Sequence, residues 1–355
     1  MHLELNFLSA IDILTCSTAF MLGLLFITSK SENRKANLFL GLSLWSLVFE
    51  VFGSLSQSFS DDVEFMIHTS LFTIPFLLLY INQTINNHIK PWYYILFLPG
   101  IILNLILFIE FDDYIISYFE YVFNIGVLLY ILSIIKTHSK RVNNFYSDLE
   151  YKTLQWIKII VFVYLGFHFL WIIEDIIGYQ NEDWIEYFAA LSTVLTFFMV
   201  FWIGHNGFLQ HETFKQKLFI SVRENVKEEK QVSDINNDTE DQEAFEILKN
   251  QIIDQKLFTD PKLNLRTLSQ FVNLNEKEVS RLINQCSASN FYQFINQFRV
   301  DEFKALLQSP KAKQLSILGL AEESGFNSKS TFYTAFKTLE GITPKQYEIQ
   351  LKKSE

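Results

Sequence analysis

The sequence predicts an all-α protein: a seven-helix transmembrane bundle followed by an all-helical domain with two helix-turn-helix units. The first observation is composition, because 49% of the 355 residues are hydrophobic and all six Trp precede residue 203. The second is periodicity, because apolar residues near the C-terminus recur at the three- and four-residue intervals of amphipathic helices. We expect a transmembrane domain over residues 1–214, a charged linker over 215–244 and a helical domain over 245–355.

Seven apolar stretches are long enough to cross a bilayer, for which a helix needs about 20 residues. They cover residues 5–29, 36–58, 63–85, 92–110, 114–138, 153–178 and 184–208. A soluble core is the alternative, but their length and close spacing favour membrane helices. The first stretch lacks a preceding Lys or Arg and a small-residue cleavage pattern, so we expect it to be retained rather than removed as a signal peptide.

The charges between these stretches alternate in sign. Basic residues mark every second connection: Lys30, Arg34, Lys35, Lys90, Lys136, Lys140, Arg141, Lys152, Lys215 and Lys217. The other connections carry only acidic residues: Asp61, Asp62, Asp112, Asp113, Glu182 and Asp183. Because basic loops stay in the cytoplasm, we expect a multi-pass protein of the bacterial cytoplasmic membrane. Its N-terminus would lie outside and its C-terminal domain in the cytoplasm.

Ionisable residues inside membrane segments are costly and suggest function. The deepest are Asp12, Glu50, His68 and His168, which would line a ligand pocket open to the outside. The alternative is that each hydrogen-bonds a neighbouring helix or lies at headgroup level, which we favour for Glu120, Glu174, Asp175 and Glu186, nearer the outer boundary. No HExxH zinc motif or other catalytic pattern is present. Cys16 and Cys286 stand in unlike surroundings and suggest neither a disulfide nor a metal site, so we expect no cofactor.

The linker is charged and nearly free of aromatic residues, and it reads SVRENVKEEKQVSDINNDTEDQE from residue 221. Such composition buries too little apolar surface to fold alone. We expect residues 211–230 to extend the seventh helix and the rest to be disordered.

Two helix-turn-helix units are predicted after the linker. In the first, Leu265, Leu268 and either Phe271 or Val272 mark one helix, and Val279, Leu282 and Ile283 mark the next. Asn273 lies in the turn between them, where Asn tolerates a left-handed conformation. The outward residues of the second helix are Glu276, Lys277, Ser280 and Arg281.

In the second unit, Gly325 ends one helix, Phe326 fills the core and Ser328 caps the next helix. Phe332, Phe336 and Leu339 form its apolar stripe, which leaves Lys329, Ser330, Tyr333 and Thr334 outward. A continuous helix over Phe291–Leu307 would join the units. At roughly 25 Å it could place two reading helices about one DNA turn apart.

Residues 258–347 resemble the DNA-binding domain of AraC/XylS-family transcription regulators. The resemblance rests on RTLSQFVNLNEKEVSRLIN, FINQFRVDEFKALL and, most specifically, ILGLAEESGFNSKSTFYTAFKTLEGITPKQY. It implies base contacts by Lys277, Ser280 and Arg281 in the first unit and by Lys329, Ser330, Tyr333 and Thr334 in the second, with Lys337 on phosphate. Glu276 and Glu278 would repel phosphate, unless Glu276 accepts from a cytosine amino group. Asn273 and Glu348 depart from the family's usual Gly and Arg.

The sequence net charge of −10 does not oppose this expectation. From Phe245 onward, 15 Lys and Arg stand against 12 Asp and Glu, a local net of +3. We expect a non-enzymatic, membrane-bound regulator that senses an unidentified ligand or membrane partner and binds double-stranded promoter DNA, with the seventh segment and linker transmitting the signal. A homodimer, and RNA polymerase for an activator, are left open as partners. The alternatives are a membrane enzyme or transporter with an attached regulatory domain, and a membrane part that is only an anchor.

Overall fold

The computed structural model describes residues 7–30, 33–57, 68–86, 89–105, 113–149, 152–177, 182–213 and 238–354. Within these ranges the chain is helical, without a β-strand, which confirms the all-α prediction. The described residues contain one isolated antiparallel bridge, between Tyr146 and Asn264.

The N-terminal helices follow the predicted apolar stretches. They are α1 (Phe7–Thr28), α2 (Arg34–Gln57), α3 (Ser70–Asn86), a 3-10 helix (Pro91–Phe97) that continues as α4 (Leu98–Leu105), α5 (Asp113–Asn143), α6 (Gln155–Ile177) and α7 (Glu182–Thr213). Five of them, α1, α2, α5, α6 and α7, are long and apolar enough to cross a membrane. The third and fourth stretches form shorter helices, and the adjoining residues 58–67 and 106–112 lie outside the described ranges. A count of seven crossings therefore stays a prediction.

The chain divides into two compact units. The first comprises Met1–Lys136 and Leu154–Phe219. In it, α1 packs against α2 and α7, α2 against α3, and α6 against α7. Gly23 and Gly41 let α1 and α2 approach closely, because a Cβ on Gly41 would lie 2.7 Å from the Gly23 carbonyl oxygen. Small residues at such contacts are typical of helices packed in membranes.

The second unit comprises Thr137–Thr153 and Ile220–Glu355. Its helices are α8 (Asp238–Asp254), α9 (Leu265–Phe271), α10 (Glu276–Cys286), α11 (Phe291–Leu307), α12 (Ile317–Glu323), α13 (Lys329–Glu340) and α14 (Pro344–Ser354), with 3-10 turns at Leu257–Thr259 and Pro310–Lys313. The predicted connecting helix is confirmed with its bounds as α11. Two apolar cores form, one around α8–α10 and the first half of α11, the other around the rest of α11 and α12–α14.

Helix α8 begins at Asp238, inside the stretch that the sequence assigned to a disordered linker. The prediction of disorder is therefore wrong for residues 238–244. The helix forms because Phe245, Leu248 and Ile252 share one face and are buried, and because acidic residues in its first turns suit a helix N-terminus. Residues 214–237 lie outside the described ranges, so the linker there stays a prediction.

Candidate nucleic-acid interface and ligand cavity

The first helix-turn-helix unit is set by local capping. The Asn264 side chain accepts from the Thr267 amide and begins α9, and the Asn275 side chain accepts from the Glu278 amide and begins α10. Between the helices Asn273 adopts φ 54°, the left-handed conformation that the sequence predicted. Val279, Leu282 and Ile283 are buried, so the opposite face of α10 is left to polar residues.

The predicted reading face of α10 is partly engaged by the chain itself. Lys277 and Arg281 are exposed, whereas Glu276 and Ser280 are half-buried. The Glu276 carboxylate accepts from Arg266 Nε at 2.9 Å. Thus Glu276 already has a cationic partner within the unit.

Arg281 pairs with Asp241 on α8. Its Nη2 donates to Asp241 Oδ1 at 2.8 Å, and its Nη1 also contacts Asp241 Oδ2. The hydrogen bond from Arg281 holds the pKa of the Asp241 carboxyl below its ordinary value. A base contact by Arg281 would therefore require it to exchange Asp241 for DNA. Sequence reasoning missed this pair, since Asp241 fell in the predicted linker.

The second unit is fixed by a turn and a cap. Gly325 adopts φ +100°, and a Cβ there would meet the Phe258 carbonyl oxygen at 2.4 Å. The Ser328 side chain accepts from the Thr331 amide, which confirms it as the N-cap of α13. Phe332 and Phe336 are fully buried, as the predicted stripe requires.

The outward face of α13 carries the residues that the resemblance singled out. Lys329, Ser330, Thr334 and Lys337 are exposed, and Tyr333 is half-buried. The Tyr333 ring packs edge-on against Phe332 at 5.4 Å, and the Lys329 ammonium lies 5.7 Å from its centroid. Such a face offers donors, acceptors and positive charge, which suit base edges and phosphates in the major groove.

Arg299 on α11 is buried between that helix, the loop before α9 and residues 147–148. Arg299 is 0% exposed, and burial lowers its pKa to about 10, against the opposing carboxylates of Asp148 and Asp260. Each of its five N–H donors is within reach of an acceptor: the carbonyl oxygens of Phe258, Asp260 and Ser147, the Ser147 hydroxyl and the Asn296 amide oxygen. Sequence reasoning missed it, although a cation within the apolar stretch FINQFRVDEF was a usable signal.

Among the N-terminal helices, three of the predicted residues line one cavity of about 210 Å³: Glu50, His68 and His168. These are three of the four residues predicted for a ligand pocket. The fourth, Asp12, is not among the lining residues and hydrogen-bonds Thr193, as in the alternative interpretation. Within the described residues, no group of three or more His, Cys, Asp or Glu could hold a metal ion.

The cavity wall also contains Glu120, which the sequence placed nearer the outer boundary, and Ser70 and Asn124, which the sequence did not single out. His68 Nδ1 lies 2.6 Å from Glu120 Oε1, and Ser70 donates to Glu120 Oε2 at 2.9 Å. Asn124 is 1% exposed, and neither atom of its amide has a hydrogen-bond partner among the described residues. Because buried polar groups usually have hydrogen-bond partners, the Asn124 amide is the most unusual polar group of the cavity wall. The signal in the sequence was an amide inside an apolar helix.

Comparison with known proteins concerns the C-terminal part of the chain. Residues 268–349 match a family model described as a helix-turn-helix domain. The melibiose operon regulatory proteins of two Escherichia coli strains are 30% identical over 88 residues, which are 25% of this chain and 28% of each relative. The chain thus spans little more than a quarter of the curated relatives it matches, and no solved structure matches it. With its two capped helix-turn-helix units on either side of α11, the C-terminal domain of this chain is an AraC-type helix-turn-helix domain.

Proposed function

We propose that this protein is a membrane-bound, one-component transcription regulator. Its AraC-type domain binds promoter DNA in a sequence-specific way, and its N-terminal helices cross the membrane and sense a signal. The observation that carries the proposal is the presence of two capped reading helices, α10 and α13, on the same chain as five helices long and apolar enough to cross a bilayer. The melibiose operon regulatory proteins support the regulatory part by similarity.

The reading helices are joined by α11, whose 17 residues span roughly 25 Å. That length is compatible with two helices in successive major grooves on one side of the duplex. Lys277 on α10 and Lys329 on α13 are exposed, so each could approach DNA without unfolding a neighbouring element. We assign these two lysines to the interface, together with the polar residues around them.

The test is a gel shift with the full chain in lipid nanodiscs and a DNA fragment enriched by chromatin precipitation. We expect the Lys277→Ala/Lys329→Ala variant to bind more weakly and with a shallower salt dependence, because it removes two positive charges from the interface. Lys256→Ala is the matched control, because the Lys256 ammonium is held by Glu302 at 2.7 Å. Equal affinity and slope for the double variant and wild type would refute the assigned faces.

We also assign ligand sensing to the cavity around Asn124. At about 210 Å³ it is smaller than the roughly 300–1,000 Å³ of pockets for drug-sized molecules. A small molecule with both a donor and an acceptor would complement the Asn124 amide, and Glu50 and Glu120 would favour one with a cationic group. Such a ligand acts only through different affinities for two arrangements of the helices.

Thermal shifts of the nanodisc-embedded chain against a panel of small amines, amino acids and sugars would test the cavity. We expect a shift with at least one amine or amino acid, which Asn124→Leu abolishes. Asn206→Leu is the control, because the Asn206 amide already donates to the Trp202 carbonyl oxygen outside the cavity. If Asn124→Leu responds as wild type does, this cavity is not the sensing site.

The orientation of the chain in the membrane belongs to the same proposal. The alternating loop charges support a cytoplasmic C-terminus. Alkaline phosphatase fused after residue 355 should be inactive and green fluorescent protein fused there should be fluorescent. The reverse pattern would place the DNA-binding domain on the wrong side and refute the proposal.

A further inference from the structure

Four residues from the connection between α5 and α6, residues 145–148, lie inside the AraC-type domain. They precede α8 by about ninety positions, yet the compact unit that contains the domain includes Thr137–Thr153. Phe145 is 8% exposed and packs in the first apolar core with Phe245 and Leu248 of α8. Ser147 is 0% exposed and Asp148 7%. We call residues 145–148 the docking segment.

The docking segment pairs with the backbone at the start of α9. The Leu265 amide donates to the Phe145 carbonyl oxygen at 2.9 Å, and Tyr146 forms the isolated antiparallel bridge with Asn264. The Ser147 hydroxyl donates to the Leu263 carbonyl oxygen at 2.5 Å. Its backbone is therefore held against the entry to the first helix-turn-helix unit.

The same segment completes the hydrogen bonds of α11. Arg299 donates to the Ser147 carbonyl oxygen at 3.2 Å and to its hydroxyl oxygen at 3.1 Å. The Asn296 amide donates to the Ser147 carbonyl oxygen at 3.1 Å. Without the docking segment, two of the five N–H donors of a fully buried guanidinium would lose their partners, which is costly for a buried charge.

The next residue reaches the second unit. The Thr331 hydroxyl donates to Asp148 Oδ1 at 2.8 Å, and Thr331 is buried in the first turn of α13. The Thr331 amide in turn donates to Ser328, the cap of that helix. Residues 145–148 thus contact the first helix-turn-helix unit, the connecting helix α11 and the second reading helix α13. They link two parts of the domain whose apolar cores are separate clusters.

We propose that the docking segment is a regulatory clamp, through which α5 and α6 control how tightly the domain binds DNA. This proposal rests on the proposed function and concerns its regulation. Seated, the clamp fixes the two reading helices relative to each other, and such preorganisation favours binding to two successive grooves. Withdrawn, it takes the Ser147 acceptors from two of the Arg299 donors and the Asp148 acceptor from the Thr331 hydroxyl, and it lets the two helix-turn-helix units move apart. The signal then reaches the domain through the α5–α6 connection, in addition to any route through α7 and the linker.

Three variants of the full chain in nanodiscs test the clamp: Asp148→Ala, Thr331→Val and the two combined. DNA affinity is measured by fluorescence anisotropy on a fragment selected from a random-sequence library. We expect each single variant to weaken binding about tenfold, within the range of known coupling between sites, and the double variant to be no weaker than either. Asp254→Ala, which removes an exposed carboxylate from α8, should bind as wild type does.

Hydrogen exchange separates regulation from a purely structural role. Since coupling is reciprocal, DNA that favours the seated clamp must slow exchange at the Leu265 amide, which the Phe145 carbonyl oxygen holds. Asp148→Ala should abolish that slowing, while the α9 amides from Leu268 onward, which bond within the helix, stay protected. An unchanged or tighter affinity for Asp148→Ala, or no effect of DNA at Leu265, overturns the clamp. If wild type selects no DNA from the library, the proposed function itself fails and the clamp falls with it.

Discussion

Substituting three glycines of the AraC-type domain with alanine should separate backbone strain from steric conflict. Gly325 and Gly341 both have positive φ, at +100° and +75°. A Cβ on Gly341 would meet nothing within 4 Å, whereas one on Gly325 would lie 2.4 Å from the Phe258 carbonyl oxygen and 2.7 Å from Thr259 Cα. Those atoms are backbone and cannot rotate away. The Phe258 carbonyl oxygen also accepts from Arg299 Nε at 2.7 Å, so moving it disturbs the buried arginine.

The magnitudes follow from these contacts. Gly341→Ala should lower the free energy of unfolding by roughly 1–2 kcal/mol, the cost of a left-handed alanine. Gly325→Ala combines the same backbone strain with a steric clash, so it should lower the free energy of unfolding by roughly 2–6 kcal/mol. Gly319 lies within α12 with its nearest neighbour at an ordinary 3.5 Å, so Gly319→Ala should stabilise by roughly 0.5–1 kcal/mol.

The assay is native-state hydrogen exchange of the nanodisc-embedded chain. The slowest amides of α11 report the opening of the whole unit, because that helix contributes to both apolar cores. The reasoning is wrong if Gly325→Ala lowers the free energy of unfolding no more than Gly341→Ala does, since only a Cβ at residue 325 clashes with Phe258 and Thr259.

Three further outcomes are expected. Ser328→Ala should lower the free energy of unfolding by about 1 kcal/mol, because it removes the cap of α13; the same hydrogen-exchange assay measures it. Ser330→Ala, at an exposed position of that helix, should leave the free energy of unfolding unchanged. Equal effects of the two substitutions would contradict the role of Ser328 as the cap. Arg299→Lys should lower the free energy of unfolding by roughly 2–6 kcal/mol in the same exchange assay, because the three donors of a lysine cannot serve the five acceptors that now bind Arg299. A decrease under 1 kcal/mol would contradict this role of the guanidinium. Asp241→Asn should tighten DNA binding several-fold in the gel shift by releasing Arg281, and weaker binding would show that the pair supports the reading helix instead.

Local signals predicted most of the AraC-type domain. Three features depend only on residues within a few positions of each other: the bounds of α11, the left-handed conformation of Asn273 and the cap at Ser328. Short stretches of sequence are therefore enough to predict them. The outward faces of α10 and α13 follow equally directly, because a helix with three or four buried apolar residues has only one other side.

What the sequence did not predict depends on long-range partners. Arg281 was assigned to a base from its place on α10, but its present partner, Asp241, is forty residues away. Ser147 meets Arg299 across 152 positions, and nothing in the sequence near residues 145–148 marks them as part of another domain. Glu50, His68 and His168 drew attention because their side chains are ionisable and stand in apolar stretches, and they line one cavity. The neutral Asn124 gave no such signal.

The contacts of the docking segment also determine when, during synthesis of the chain, the AraC-type domain can be completed. Asp148 and Thr331 are 183 residues apart, which is roughly 10–40 s of synthesis at about 5–20 residues per second. During that time α5 and α6 are complete, yet the site that receives the connection between them does not exist. The AraC-type domain can acquire its full set of contacts only after the earlier helices have left the ribosome. A newly made chain therefore completes this contact only after Thr331 has been made, well after α5 and α6.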